Sequence, residues 1–190
     1  MLCSDEELML SCCDGDKAAF ETLYRRYEKP VFSFIYRMVS SSADAEDLCQ
    51  ETFFKVIRAK KKYRKTAKFK TWLFNIALNL CRDRIRRMKF RSHVSLNNPA
   101  FSQDSEDIRK QQTICDTSSD PPERAQADEM KALVQQAFTK LPERERTVVI
   151  LRQYHDLKFS EIAEIMNCPV GTAKSLDHRG RDKLMKALSK

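Results

Sequence analysis

An all-α fold, built as two small helical domains on either side of a linker, is what this sequence predicts. Three observations carry that expectation. Apolar residues recur at spacings of three and four over long stretches, the mark of helices with one buried face. Only three glycines occur in 190 residues. A stretch rich in Ser, Asp, Gln and Pro, residues 93–127, separates two apolar-periodic blocks, residues 1–92 and 128–190, each long enough to bury a core.

Asp5 to Cys13 fits a short helix ended by the turn signal Asp14-Gly15-Asp16. Asp16 is placed to cap a second helix with the stripe Phe20, Leu23, Tyr24, Tyr27, Val31, Phe34, Ile35, Met38, and Pro30 inside it is a possible kink. Ser40 to Ser42 breaks the pattern. Ser42 or Asp44 can cap a third helix, whose buried side is Leu48, Thr52, Phe53, Val56 and Ile57. Lys60 to Lys68 has no apolar period and reads as a basic loop. Phe69, Trp72, Leu73, Ile76, Ala77, Leu80 and Ile85 mark a fourth helix reaching about Arg91, which completes one bundle.

Residues 93–127 read as a flexible tether, and Pro121-Pro122 argues against a continuous helix through it. Beyond it, Leu133, Ala137 and Leu141 line one helix. Pro142 opens the next, with Val148, Val149, Leu151 and Tyr154 as its core. Ser160 can cap a short helix carrying Ile162, Ala163, Ile165 and Met166. Asn167-Cys168-Pro169 then turns the chain into a last helix ending near Leu188. Short helix, tight turn and longer helix make the helix-turn-helix pattern of DNA readers.

The net charge of +8 is unevenly spread. Met1 to Phe54 carries five Lys or Arg against eleven Asp or Glu, whereas Lys55 to Arg91 carries fifteen against one. Asn97 to Glu129 is acidic again, with three against eight, and Met130 to Lys190 is basic, with twelve against seven. Two basic blocks flanking an acidic one suit two nucleic-acid-facing surfaces. Solvated helix faces would account for the C-terminal block alone but not for fifteen against one. If about five of these cations touch phosphates, the log–log salt slope of binding is on the order of −3 to −4.

The seven cysteines form no CxxC pair and no zinc-like spacing. Cys49 and Cys81 fall where small apolar residues belong, so buried free thiols in a reducing cytoplasm are the simple reading. A redox-sensing pair at Cys12 and Cys13 is the alternative. No stretch approaches the roughly 20 apolar residues of a membrane span, and a cytoplasmic protein is expected. No carboxylate cluster or activated nucleophile suggests an enzyme, and no cofactor is implied.

Four motifs now join these readings. Asp44-Ala45-Glu46-Asp47-Leu48-Cys49-Gln50-Glu51-Thr52-Phe53 resembles the polymerase-gripping region 2 helix of bacterial RNA polymerase sigma factors. Phe69-x-Thr71-Trp72-Leu73-x-x-Ile76-Ala77-x-Asn79, with Asp83 and Arg86-Arg87, is similar to their promoter-opening helix. Leu141-Pro142-Glu143-Arg144-Glu145-Arg146, and Pro169-Val170-Gly171-Thr172 with Lys174-Ser175 and His178-Arg179, look like region 4. The order and span resemble the extracytoplasmic-function (ECF) type of the sigma-70 family, over nearly the whole chain outside the linker.

That resemblance implies partners and roles. Asp44, Asp47, Gln50, Glu51 and Phe53 would meet the clamp helices of core RNA polymerase. Lys62, Tyr63, Arg64, Lys65, Lys68, Asn79, Arg82 and Arg86 would contact the −10 promoter element. Thr172, Lys174, Ser175, His178 and Arg179 would contact the −35 element, region 4 also binding the polymerase flap. An anti-sigma factor would hold the protein inactive.

Elementary chemistry agrees in part. Asp47 and Glu51 lie one helical turn apart, able to meet a polar protein surface or simply to be solvated. Unstacked bases need aromatic surfaces, and Tyr63 is expected to be the exposed one, with Trp72 in the core. Asn79, Arg82 and Arg86 share a face that fits base edges, backbone or water. His178 suits a base edge or a phosphate.

The sequence departs from the family in the last helix. Relatives commonly carry Arg-Leu where this chain has Leu176-Asp177, and Ala where it has Gly180. A buried Asp177 would need a partner such as Arg181, or a rotated helix that packs Leu176 inward. A stand-alone helix-turn-helix regulator is the alternative function. It explains the C-terminal domain but not the Asp44–Phe53 motif.

Overall fold

The computed structural model describes residues 3–64, 68–96 and 121–189, which hold helices and no strand. In chain order the helices are α1 (Asp5–Cys13), α2 (Lys17–Val39), α3 (Ser42–Ala59), a 3-10 turn over Lys60–Lys62, α4 (Phe69–Leu96), α5 (Pro121–Thr139), α6 (Glu143–Gln153), α7 (Phe159–Met166) and α8 (Val170–Leu188). No described helix is long and apolar enough to cross a membrane.

The caps explain the boundaries. Ser4 and Glu7 form a capping box at the start of α1, the Glu7 amide donating to Ser4 Oγ and the Ser4 amide to Glu7 Oε2. Asp16 accepts from the amides of Ala18 and Ala19 at the start of α2, as its position in the sequence suggests. For α3 the cap is Ser41 rather than Ser42 or Asp44: its hydroxyl accepts from the Asp44 amide. The cap expected at Ser160 also moves. α7 begins two residues earlier than a Ser160 cap would start it, after Lys158, whose amide is taken by Glu161.

The stripe of α2 is buried as its spacing requires: Leu23, Tyr27, Val31, Phe34, Ile35 and Met38 pack against Leu48, Phe53 and Val56 of α3 and Phe69, Leu73, Phe74 and Ala77 of α4. A fully buried Phe such as Phe34 contributes about 2–3 kcal/mol. Ile57, expected on the buried side of α3, instead faces outward. α2 runs unbroken through Pro30.

Both ends of the expected tether are helical. α4 continues to Leu96, and α5 starts at Pro121 with Pro121-Pro122 in its first turn, where a missing amide costs no hydrogen bond. Residues 97–120 lie outside the described ones. Beyond them, Phe138, Leu141, Val148 to Leu151, Ile162, Ile165, Met166, Ala173 and Leu176 form the second core. This core is continuous with the first, because α6 and α7 lie directly on α2 and α4.

Candidate polymerase and nucleic-acid interface

α3 presents one polar face. Asp47, Gln50 and Glu51 are exposed there, with Lys55 paired to Glu51 at 3.5 Å. Asp44 is half-buried and ion-paired to Arg84 of α4. A cleft of about 200 Å³ between the two helices is lined by Asp44, Asp47, Leu48, Glu51 and Arg84. Phe53, expected on this surface, is in the core: it is 4% exposed and its ring meets Tyr24 edge-on at 4.7 Å. The outward aromatic is its neighbour Phe54, 61% exposed. Helix phase could have found it, since 47, 50, 51 and 54 share one face at steps of three and four.

The 3-10 turn and α4 carry the basic block. Lys62 and Arg64 are exposed, with the Arg64 guanidinium donating to the carbonyls of Lys61 and Tyr63. Lys65 lies outside the described residues. Tyr63 is not the exposed ring expected of a base platform. It is 5% exposed, with ring centroids 5.3 Å from Trp72 and 6.2 Å from Phe69. Burial, followed by the nearby Glu6 and Asp5, pushes its phenol up to about 12. Trp72 is half-buried in that cluster.

Further along α4 the basic face divides. Asn79 is exposed and donates to Asn75 Oδ1 at 3.0 Å. Arg86 is exposed and pairs with Asp83 at 2.8 Å. Lys68 and Arg82, by contrast, reach acidic residues of the C-terminal half. Lys68 Nζ lies 2.7 Å from Glu161, and Arg82 Nε lies 3.0 Å from Glu143. Asn75, which no motif or periodicity singles out, donates to the Ile165 carbonyl at 2.9 Å.

α7, the turn at Asn167 and α8 form the helix-turn-helix. Asn167 adopts the left-handed conformation (φ 49°) that ends α7, and its amide returns to the Glu164 carbonyl. Lys174, Ser175, His178 and Arg179 are exposed on α8, and Thr172 is partly so. His178 Nδ1 pairs with Asp182 at 3.0 Å. Glu145 of α6 is buried beneath this face. Its carboxylate takes Lys183 at 2.7 Å and sits 4.0 Å from Arg179, holding two cations at the edge of the helix.

The departures in α8 are accommodated in both ways at once. Leu176 packs inward, and Asp177, only 3% exposed, pairs with Arg181 at 3.0 Å. The second Asp177 oxygen, Oδ1, has no hydrogen-bond partner.

Residues 23–91 match the family model described as Sigma-70 region 2, and residues 131–184 match Sigma-70, region 4. The chain is 35% identical to the RNA polymerase sigma-H factor of Pseudomonas aeruginosa, over 97% of this chain and 93% of that one. It is 34% identical to the ECF RNA polymerase sigma factor SigW of Bacillus subtilis, over 92% and 91%. Among solved structures it resembles CnrH in complex with the cytosolic domain of CnrY, with a TM-score of 0.71, 21% identity and 97% of both chains covered. It also resembles the sigma factor RpoE in complex with the anti-sigma factor NepR from Bartonella quintana, with a TM-score of 0.67, 21% identity and coverage of 90% and 96%. These two structures establish a common fold.

Proposed function

Because the chain belongs to the sigma-70 family, among its ECF sigma factors, we propose that it docks α3 on core RNA polymerase and sets α4 and α8 on two promoter elements. It directs transcription initiation. The observation that carries this reading is the pairing of both regions in one chain, region 2 over residues 23–91 and region 4 over 131–184. A stand-alone regulator has no use for the first.

The roles of individual residues follow from exposure and charge. Asp47, Gln50, Glu51 and Phe54 give α3 an acidic rim around one exposed ring, a surface suited to a basic, partly apolar groove on the clamp helices. Asp44 acts from behind, fixing α3 against α4 through Arg84. Lys62, Arg64, Lys68, Asn79, Arg82 and Arg86, with Lys65, supply phosphate attraction and polar contact to the −10 element. Thr172, Lys174, Ser175, His178 and Arg179 read the −35 element from the early turns of α8, where each good bidentate contact is worth about 1–3 kcal/mol. Region 4 also meets the polymerase flap. The chain supplies promoter recognition to the polymerase in the cytoplasm and performs no chemistry itself. The proposed division is region 2 through the end of α4 at Leu96 and region 4 from the start of α5 at Pro121, with the acidic linker between.

The RpoE structure was solved with an anti-sigma factor, and the same kind of partner is proposed here. The test is direct: purified chain and core RNA polymerase are mixed at low salt and separated by size. Co-elution is expected. Separate elution, with inhibitors removed, contradicts the reading.

A further inference from the structure

No motif of the sequence reaches α1, yet both of its ends are tied to elements that carry the −10 residues. A helix leaves its first amides without helical partners, and α4 has one satisfied from far away in the chain. The Phe69 amide donates to Glu6 Oε1 at 3.0 Å. The neighbouring Asp5 accepts from the Tyr27 hydroxyl and pairs with Arg26 at 2.7 Å, both on α2. At the other end of α1 the bonds are reciprocal. Lys60 Nζ donates to the Cys12 carbonyl at 2.8 Å, and the Cys13 thiol donates to the Lys60 carbonyl at 3.1 Å. Lys60 begins the 3-10 turn that leads into Tyr63.

α1 therefore holds both sources of one aromatic cluster. Tyr63 enters it from the 3-10 turn, and Phe69 and Trp72 enter it from the first turn of α4. The Tyr27 ring meets Phe69 at 5.4 Å, and Met9 of α1 is fully buried in the same core. Charge alone would keep acids away from here. Asp5, Glu6 and Glu7 put three carboxylates in the first turn of α1, close to a block of cations proposed to attract phosphate. The bond to Phe69 gives Glu6 a reason to be there.

We infer that Glu6 is a positioning residue for promoter opening: by capping α4 at Phe69 it fixes the Tyr63–Phe69–Trp72 cluster in the register at which the −10 strand is received. It acts through Phe69 rather than on the DNA. The inference deepens the functional reading above and rests on it.

Variants of Glu6 separate the bond from the charge. Glu6→Gln keeps an acceptor and loses the charge, Glu6→Asp keeps the charge but falls a methylene short, and Glu6→Ala keeps neither. Holoenzyme made with each is placed on a genomic fragment where the wild type initiates, and permanganate reports the unpaired thymines. Glu6→Ala and Glu6→Asp should lower the open fraction roughly fivefold, the scale of one lost cap, with capture of core polymerase unchanged. Glu6→Gln should stay within about twofold of the wild type. Charge acting alone predicts a different order, with Glu6→Ala and Glu6→Gln both opening more readily and Glu6→Asp like the wild type. That order overturns the inference, as does a Glu6→Gln as impaired as Glu6→Ala, or equal opening by all four proteins. If circular dichroism shows Glu6→Ala to be unfolded, Glu6→Asp against Glu6→Gln carries the same test.

Trp72 is the sole tryptophan, so its emission in the free chain reports the cluster without polymerase. A red shift in Glu6→Ala and Glu6→Asp, absent in Glu6→Gln, is expected; identical emission in all four overturns the inference. A wild type that captures no polymerase, or opens no fragment, would instead sink the functional reading. Trp72 emission still decides in that case whether Glu6 sets the cluster.

Discussion

Gly180 leaves room for Val149: a β-carbon built on Gly180 would lie 2.6 Å from Val149 Cγ2 and 3.2 Å from the Glu145 carbonyl oxygen. Here α8 rests on α6 with nothing between them. Gly180→Ala therefore gains about 1 kcal/mol of helix propensity and loses more than that to the clash. We expect a net destabilisation of about 1–2 kcal/mol by denaturant unfolding, reversed in part when Val149→Ala is added. A stabilised Gly180→Ala would show that α8 can shift freely on α6.

Asp177 and Arg181 test the other departure in the same helix. Arg181 is half-exposed, so solvent already screens the pair, and Asp177 Oδ1 is orphaned. Arg181→Ala should cost about 1–2 kcal/mol by leaving a buried carboxylate alone. Asp177→Leu, which keeps the same branched skeleton, should be neutral or stabilising, because an apolar side chain needs no partner there. Thermal unfolding of the two variants gives the comparison.

His155 makes stability depend on pH. Its imidazole is held at about 4, below the usual 6.5, first by burial and then by the charges of Lys70 on α4 and Arg37 on α2. The unfolded chain therefore binds a proton that the folded chain refuses. The full contribution is present above pH 6.5 and is lost as pH falls from 6.5 toward 4. Between pH 7.5 and 5.5 the loss from this group is about 1 kcal/mol. His155→Phe, which keeps a ring between Phe34 and Phe74, should remove that part of the pH dependence in parallel denaturant titrations.

Phe53 and Phe54 are adjacent and should behave oppositely. Phe53→Ala empties a buried site and should cost about 3–5 kcal/mol of stability. Phe54→Ala should leave stability within about 0.5 kcal/mol and weaken polymerase capture. Asp47→Ala with Glu51→Ala should also weaken capture without unfolding the chain. Unchanged capture in both would remove α3 from the polymerase interface.

The pair also shows what was legible in the sequence. Burial at Leu48, Thr52, Phe53 and Val56 was written in the spacing of α3, but matching a motif residue by residue put Phe53 on the surface against that phase. α2 was readable from Asp16 to Met38, because one stripe and one cap decide it. Tyr63 was not: a single ring in a basic loop has no period to betray that Phe69 and Trp72 enclose it. The docking of the two halves was the least visible. It depends on helix-end carbonyls of Tyr36, Met38, His155 and Ile165, which accept from Gln135, Arg146, Lys70 and Asn75 across the two halves, and a backbone oxygen looks the same whatever residue carries it.

Run-off transcription tests the central claim most directly. Purified protein is added to core RNA polymerase with promoter-containing genomic fragments and all four nucleotides. Transcripts of defined length that require the added chain are the predicted result. Core polymerase that binds the chain yet starts nowhere, or starts at the same places without it, would contradict the account.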